Sequence, residues 1–426
     1  MGCTVRPAFR PGRGCRRAPL RPGTRVSRAF VVRLVLAYLG LYGAVLSVAL
    51  VTLALRIGQV DPQGRETSLT VAAALGAAVA LFANPLAGRL SDRTTSHWGR
   101  RRPCLIAGVL GGTAGLSIVA LASSVAVITA GWCFSQLCFN ASIAALAATV
   151  PEQVPSSQRG MVSGLIGFSQ RLAVPAGVAA AAMFSVGLAS FLIPAGAATA
   201  CICLFALPLK DSPAPKGKPP FSAREFFGSF WTDPRSHPDF GFVWLTRFVT
   251  YFASVAPAPY LAYYLISRTS VTAGSVAATV ASLTSLNYIL SAVTAAVCGW
   301  LSDRLGRRKA FVRAAVALLT AGLAILAVSS TLAPVYLAQA LLGIGSGLYF
   351  AVDMALATSV LPDSQEIGKD LGVINSADVL PQSVGPAFAP LLLAIGSGHN
   401  YTALYLFTMV ICLMGTLTVS RIKGMR

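Results

Sequence analysis

Gly88-Arg89-Leu90-Ser91-Asp92-Arg93 returns later in the chain as Gly299-Trp300-Leu301-Ser302-Asp303-Arg304, an interval of 211 residues (92 to 303). Two other landmarks keep that interval: Pro151 is matched by Pro362, and Pro175 by Pro386. Three markers at one offset point to an internal duplication. Around them the chain is a series of apolar runs, each near the roughly 20 residues a membrane-spanning helix needs. Twelve runs are legible: 29–55, 68–88, 104–126, 128–150, 161–184 and 188–207, then 240–266, 273–301, 310–329, 333–361, 371–395 and 401–419. The expectation is an all-α membrane protein with two pseudo-symmetric six-helix halves, 29–207 and 240–419. A basic tail 1–28, a Pro-, Lys- and Asp-rich linker 208–239 and a short tail 420–426 complete the chain.

Composition agrees. Hydrophobic residues make up 55% of the 426 positions and charged residues only 11%, with a mean hydropathy of +0.69. A soluble domain carries about a quarter charged residues, so lipid is the expected partner. The net charge of +20 could suggest nucleic acid, but its distribution excludes that reading. With both termini in the cytoplasm, 28 of the 34 Lys and Arg fall in cytoplasmic segments, and only Arg56, Arg65 and Arg268 face outward. That is the positive-inside asymmetry, and the cell membrane is the expected location. The nine cysteines sit mostly in apolar runs without metal-ligand spacing, so no metal or cofactor is expected. Met1 to Arg28 lacks an apolar stretch, which argues against a cleaved secretory signal; it reads as a disordered cytoplasmic tail.

The stretch Gly88 to Pro103, GRLSDRTTSHWGRRRP, resembles the second-to-third helix loop of major facilitator superfamily transporters. Its longer form, SDRT-x-S-x-[aromatic]-GRRRP, resembles the glycoside–pentoside–hexuronide and sucrose-type sugar:cation symporters. Gly299 to Lys309, GWLSDRLGRRK, is the plainer version in the second half. The resemblance implies a major facilitator fold and alternating access. It also implies a cytoplasmic gate in which Asp92 approaches the start of the eleventh helix; by symmetry, Asp303 approaches the fifth. A carboxylate at a helix N-terminus is a favourable charge–dipole contact. Gly88 and Gly299 would let the halves pack closely there. Arg93, Arg100, Arg101 and Arg102, with Arg304, Arg307 and Arg308 in the second half, would bind carboxylates or helix-end carbonyls. Glu152 and Asp363, each just after a matched proline, are candidate partners. The competing reading is that these arginines only anchor the loop to anionic lipid.

Burying an ionisable group at a helix centre costs roughly 2.5–3.5 kcal/mol on insertion scales. Arg171, Arg247, Asp353 and Asp378 therefore need a partner, a wet cavity or a task. Asp353 and Asp378 come to a similar depth in helices ten and eleven. Asn375, Asp378, Gln382 and Gly385 form one polar face at spacings of three and four. Burial and a like-charged neighbour favour a carboxylate's protonated form, so proton coupling through Asp353, Asp378 or both is expected. Static pairing of an aspartate with Arg171 or Arg247 is the alternative.

Candidate solute-binding groups are Tyr38, Tyr42, Gln136, Asn140, Gln170, Tyr251, Asn287, Asn375 and Gln382, since amides suit hydroxyls and aromatic faces suit sugar C–H surfaces. The expected partners are a small solute, plausibly a sugar, and a coupling proton or cation, handled by a monomer. A drug–proton antiporter on the same fold is the main alternative. Against it, helix five reads GLIGFSQRLAVPAG (164–177), with Val174 rather than glycine before Pro175. No nucleophile–base pair, zinc motif or phosphate loop appears, so an enzyme is not expected. If the gate reading holds, Asp92→Asn cuts transport while insertion stays normal, as uptake and surface expression measured together would show.

Overall fold

The computed structural model describes residues 26–184, 187–211, 237–272, 274–305, 308–359, 367–396 and 399–421. The basic tail up to residue 25, most of the central linker, Arg307 and Asp363 lie outside these, as do the side chains of Asp303 and Asn375. The described residues form twelve long helices and no strand. They are α1 Arg28–Val60, α2 Arg65–Arg93, α3 Arg102–Leu121, α4 Val125–Gln153, α5 Ser156–Ala182 and α6 Leu188–Ala206. The second set is α7, α8 Val276–Leu305, α9 Arg308–Val328, α10 Leu332–Ser359, α11 Ile367–Leu393 and α12 Tyr401–Arg421. Helix α7 comes in two pieces, Pro238–Val255 and Leu261–Arg268, joined by a 3₁₀ turn at Ala258–Tyr260. Pro257 and Pro259 flank that turn; neither can donate a helical hydrogen bond, so the helix breaks there. Helix α1 contains a π-helical segment, Val48–Thr52.

Nine of the twelve are long and apolar enough to cross a membrane. The other three, α5, α7 and α11, carry Arg171, Arg247 and Asp378. Helix α5 begins at Ser156 rather than Met161, and α11 at Ile367 rather than Leu371. Arg171 is therefore one turn deeper in its helix than the sequence suggests.

In the first six helices, α1 packs on α5 and α6, α4 on α2 and α3, and α3 on α6. In the last six, α7 packs on α11 and α12, α10 on α8 and α9, and α9 on α12. Each pairing in one set recurs at the equivalent position in the other, as a parallel repeat requires. The sets meet along two seams, α2 with α11 and α5 with α8.

Small residues make the tight crossings, but not the glycines expected to do so. A Cβ placed on Gly88 would meet only Ala144 of α4, in the same half, and one on Gly299 meets nothing within 4 Å among the described residues. Neither brings the halves together here. Close approach occurs instead at Gly177 of α5, where a Cβ would lie 3.0 Å from the Gly43 Cα of α1, and at Gly343 of α10, 3.0 Å from the Asn287 Cα of α8. Gly385 of α11 similarly abuts Ala256 at the end of the first α7 piece. Without a hydrophobic drive between helices in lipid, such backbone approach is a main source of packing energy. Gly177→Ala should therefore lower the thermal midpoint of the purified protein, at a cost of about 1–3 kcal/mol from overpacking. Gly196→Ala, whose Cβ meets nothing within 4 Å, should leave the melting curve in place.

Candidate functional site

At the basic end, the arginine-rich loop between α2 and α3 ties three helix ends together. Arg101 is buried and pairs with both Asp92 and Glu152, and it donates to Ser91 Oγ at 3.0 Å. Arg100 reaches Glu152 at 2.8 Å. Arg102 donates to the Leu209 carbonyl, just past α6. Asp211 Oδ2 accepts the Arg101 and Arg102 amides at 2.5 and 3.0 Å, capping the start of α3 where a negative charge is favoured. Gly99 has φ +97°, and a Cβ there would crowd Asp211, so glycine is needed on both counts. Burial works against the charge on Arg101, yet Glu152 and Asp92 outweigh it and hold its pKa above the ordinary guanidinium value. These contacts all stay within the first six helices. Together they make a clamp within the first half. Asp211 was missed because it lies far along the sequence.

At the opposite end, bonds do cross between the halves. Tyr263 donates to the Ala54 carbonyl at 2.5 Å, and Thr70 shares a hydrogen bond with Tyr260. Tyr401 donates to Glu66, which also meets His399 Nδ1 at 2.7 Å. The Arg65 guanidinium lies 4.9 Å from the Tyr263 ring centroid.

Between these ends, Arg247 of α7 reaches two aspartates from two other helices. Its Nε and Nη2 donate to the Asp378 carboxylate of α11 at 2.5 and 2.7 Å, a bidentate fork. Nη2 also lies 3.2 Å from Asp353 Oδ2 of α10. Among the described residues, Asp353 Oδ1 and Arg247 Nη1 are buried without a hydrogen-bond partner. Among the same residues Arg171 makes no ion pair with either aspartate; of the two cations weighed for static pairing, Arg247 is the one that pairs. The Arg171 guanidinium lies 3.7 Å from the Phe350 ring centroid and Nη1 donates to Ser291 Oγ at 3.0 Å. Tyr251 connects the two cations, 5.7 Å from Arg247 and with its ring 5.1 Å from that of Phe350.

Arg171 lines a cavity of about 100 Å³ bounded chiefly by α7, α8 and α10. Of the expected solute-binding residues whose side chains are described, only Asn287 lines it, and its Nδ2 donates to Gln339 Oε1 at 3.0 Å. Several others are engaged elsewhere. Tyr38 stacks on Tyr42, which in turn meets Gln170. Asn140 bonds back to the Gln136 carbonyl at 2.8 Å, and Gln382 to the Asp378 carbonyl at 3.2 Å. Sequence reasoning missed Ser254, Thr284, Tyr288, Ser291, Gln339 and Ser346. Their signal was present: Arg247, Tyr251 and Ser254 share one face of α7, Thr284, Asn287, Tyr288 and Ser291 one face of α8, and Gln339, Ser346, Phe350 and Asp353 one face of α10.

Removing one partner from a buried ionic group leaves an uncompensated charge, at a cost of about 3–5 kcal/mol. Arg247→Leu should destabilise the protein on that scale, and combining it with Asp353→Asn and Asp378→Asn should restore most of the loss in a thermal melt.

The chain resembles known proteins over most of its length. The Major Facilitator Superfamily model matches residues 32–272 and 243–422. A crystal structure of a point mutant of the nucleoside transporter NupG superposes with a TM-score of 0.70 at 11% identity, covering 92% of this chain and 99% of that one. The putative multidrug resistance protein MdtD of Escherichia fergusonii is 34% identical over 115 residues, 27% of this chain and 24% of the relative. Its Escherichia coli counterpart matches over the same length at the same identity. The chain thus spans about a quarter of the curated relatives it matches. With family matches extending through both six-helix sets, this chain is a multi-pass membrane protein and belongs to the major facilitator superfamily.

Proposed function

We propose that the chain is a secondary active symporter of the cell membrane, with both termini in the cytoplasm, that carries a small polar solute of the sugar class together with a proton or cation. Two bodies, 29–207 and 240–419, rock about the central cavity, and a monomer is the working unit. The observation that carries this reading is the Arg247 fork, with Asp353 Oδ1 buried and unpartnered among the described residues. A buried carboxylate with one oxygen left unsolvated is costly in its charged form, and a proton removes that charge. Asp353 is then the proton carrier. Asp378, in bidentate contact with Arg247, holds the cation in place. Cross-half bonds through Tyr263, Tyr260 and Glu66 support a state closed to the outside. The Arg101 clamp keeps the first half rigid as it moves, and Asp92 and Arg93, with Asp303 and Arg304, serve the cytoplasmic closure.

A second reading, proton-driven export, draws support from the 115-residue similarity to a putative multidrug resistance protein. The direction of solute movement in vesicles under an imposed pH gradient separates the two. In the symport reading, Asp353→Asn brings pH-driven accumulation down to background while solute exchange at equal pH persists. Radiolabelled uptake in proteoliposomes across a sugar panel, with and without the gradient, measures both; acid-stimulated uptake surviving in the variant removes Asp353 from the coupling step.

A further inference from the structure

We infer that the solute is a compact, hydroxylated monocarboxylate, bound by Arg171, and that it moves with one proton so that the two charges cancel. This rests on the transporter reading above and narrows its substrate class. Four ionic side chains occupy the central region: Arg171 and Arg247, Asp353 and Asp378. Among the described residues, Arg247 takes both aspartates, and no carboxylate lies within 4.0 Å of Arg171. Yet Arg171 sits midway along its span, with aromatic carbon on one side and a single serine hydroxyl as its hydrogen-bond partner. A guanidinium carries five donors in a planar fork that matches a carboxylate, and one bond to Ser291 leaves most of that fork unused. Arg171 also lines the cavity, so an anion entering it meets a cation with no protein counter-ion in contact.

The remaining polar wall suits hydroxyl groups. Asn287 spends its amide N–H on Gln339 Oε1, which leaves Asn287 Oδ1 to accept and Gln339 Nε2 to donate, with Ser254 alongside. A volume of about 100 Å³ is well below the 300–1,000 Å³ of drug-sized sites, which favours a compact solute over a bulky one.

Charge counting supplies the coupling. With both aspartates ionised, the four groups sum to zero. An anion alone leaves the centre one charge negative, and a proton alone leaves it one positive; either excess is penalised where the dielectric is low. Together they return the sum to zero. Each ligand therefore favours binding of the other, with the anion on Arg171 and the proton on Asp353, and the loaded and empty forms cross the membrane with the same charge.

The test uses the full chain in proteoliposomes under an inward proton gradient, with membrane potential clamped by potassium and valinomycin. The probes are lactate, gluconate and glucuronate, with glucose as the neutral comparison. At least one acid should accumulate, glucose should neither accumulate nor compete, and the uptake rate should not change with clamped potential. Arg171→Gln should weaken acid binding about 10- to 100-fold, the scale of losing a charge-assisted hydrogen-bonded pair, and Arg171→Lys should recover part of it. Glucose accumulating while the acids do not leaves the transporter reading standing and overturns the anion site. Acid uptake that varies with potential overturns the charge cancellation. If nothing moves, thermal stabilisation of purified protein by an acid, lost in Arg171→Gln and partly kept in Arg171→Lys, retains the anion site and rejects the transport reading. Absence of that stabilisation in the wild type as well overturns the site.

Discussion

One cation shared between two carboxylates in the middle of a lipid-embedded bundle organises this molecule. Arg247 binds α10 and α11 to α7 through Asp353 and Asp378, in a region where an unpaired charge is heavily penalised. The fork is also incomplete, with one oxygen of Asp353 and one nitrogen of Arg247 buried without hydrogen bonds among the described residues. A purely structural pair would gain from filling those positions. The unfilled ones make the arrangement sensitive to protonation and to any charge arriving nearby, and Arg171 stands a short aromatic bridge away, through Tyr251 and Phe350.

The two ends of the bundle are built differently. At the basic end the ionic contacts of the arginine loop are strong and multivalent: Arg100, Arg101 and Arg102 bind the ends of α2 and α4 and the carbonyl that follows α6. At the opposite end the bonds that cross between halves are mostly single hydroxyl contacts, from Tyr263, Tyr260 and Tyr401. A contact that must open repeatedly is better made from such bonds, each with a net worth of only about 0.5–1.5 kcal/mol, than from a buried ionic network.

The long apolar helices and the central charges were legible in the sequence, because lipid imposes a length, a periodicity and a penalty that individual residues cannot hide. Which charges pair was not. Arg171 and Arg247 are both cations inside helices, and nothing in their spacing says that one takes both aspartates while the other lies against Phe350. That depends on how α5 and α7 rotate about their axes. The glycines misled for a related reason: Gly88 stands in a recognisable motif, yet tight crossings fall at others such as Gly177, Gly343 and Gly385, where the partner helix happens to pass. Amide pairs such as Gln136 and Asn140 looked like ligand groups because they share a face, and that same proximity lets them satisfy one another.

The interrupted turns of α1 and α7 carry a mechanical meaning. The π segment starts at Val48, and the position 211 residues later is Pro259, within the 3₁₀ turn that breaks α7. Beyond each interruption stands an eight-residue cap, Leu53–Val60 on one side and Leu261–Arg268 on the other, fastened together by Tyr263 and the Ala54 carbonyl. Irregular turns are where helices bend at least cost. In the proposed transport cycle, tilting at these two bases would let the short caps part or meet while the long shafts below keep their alignment.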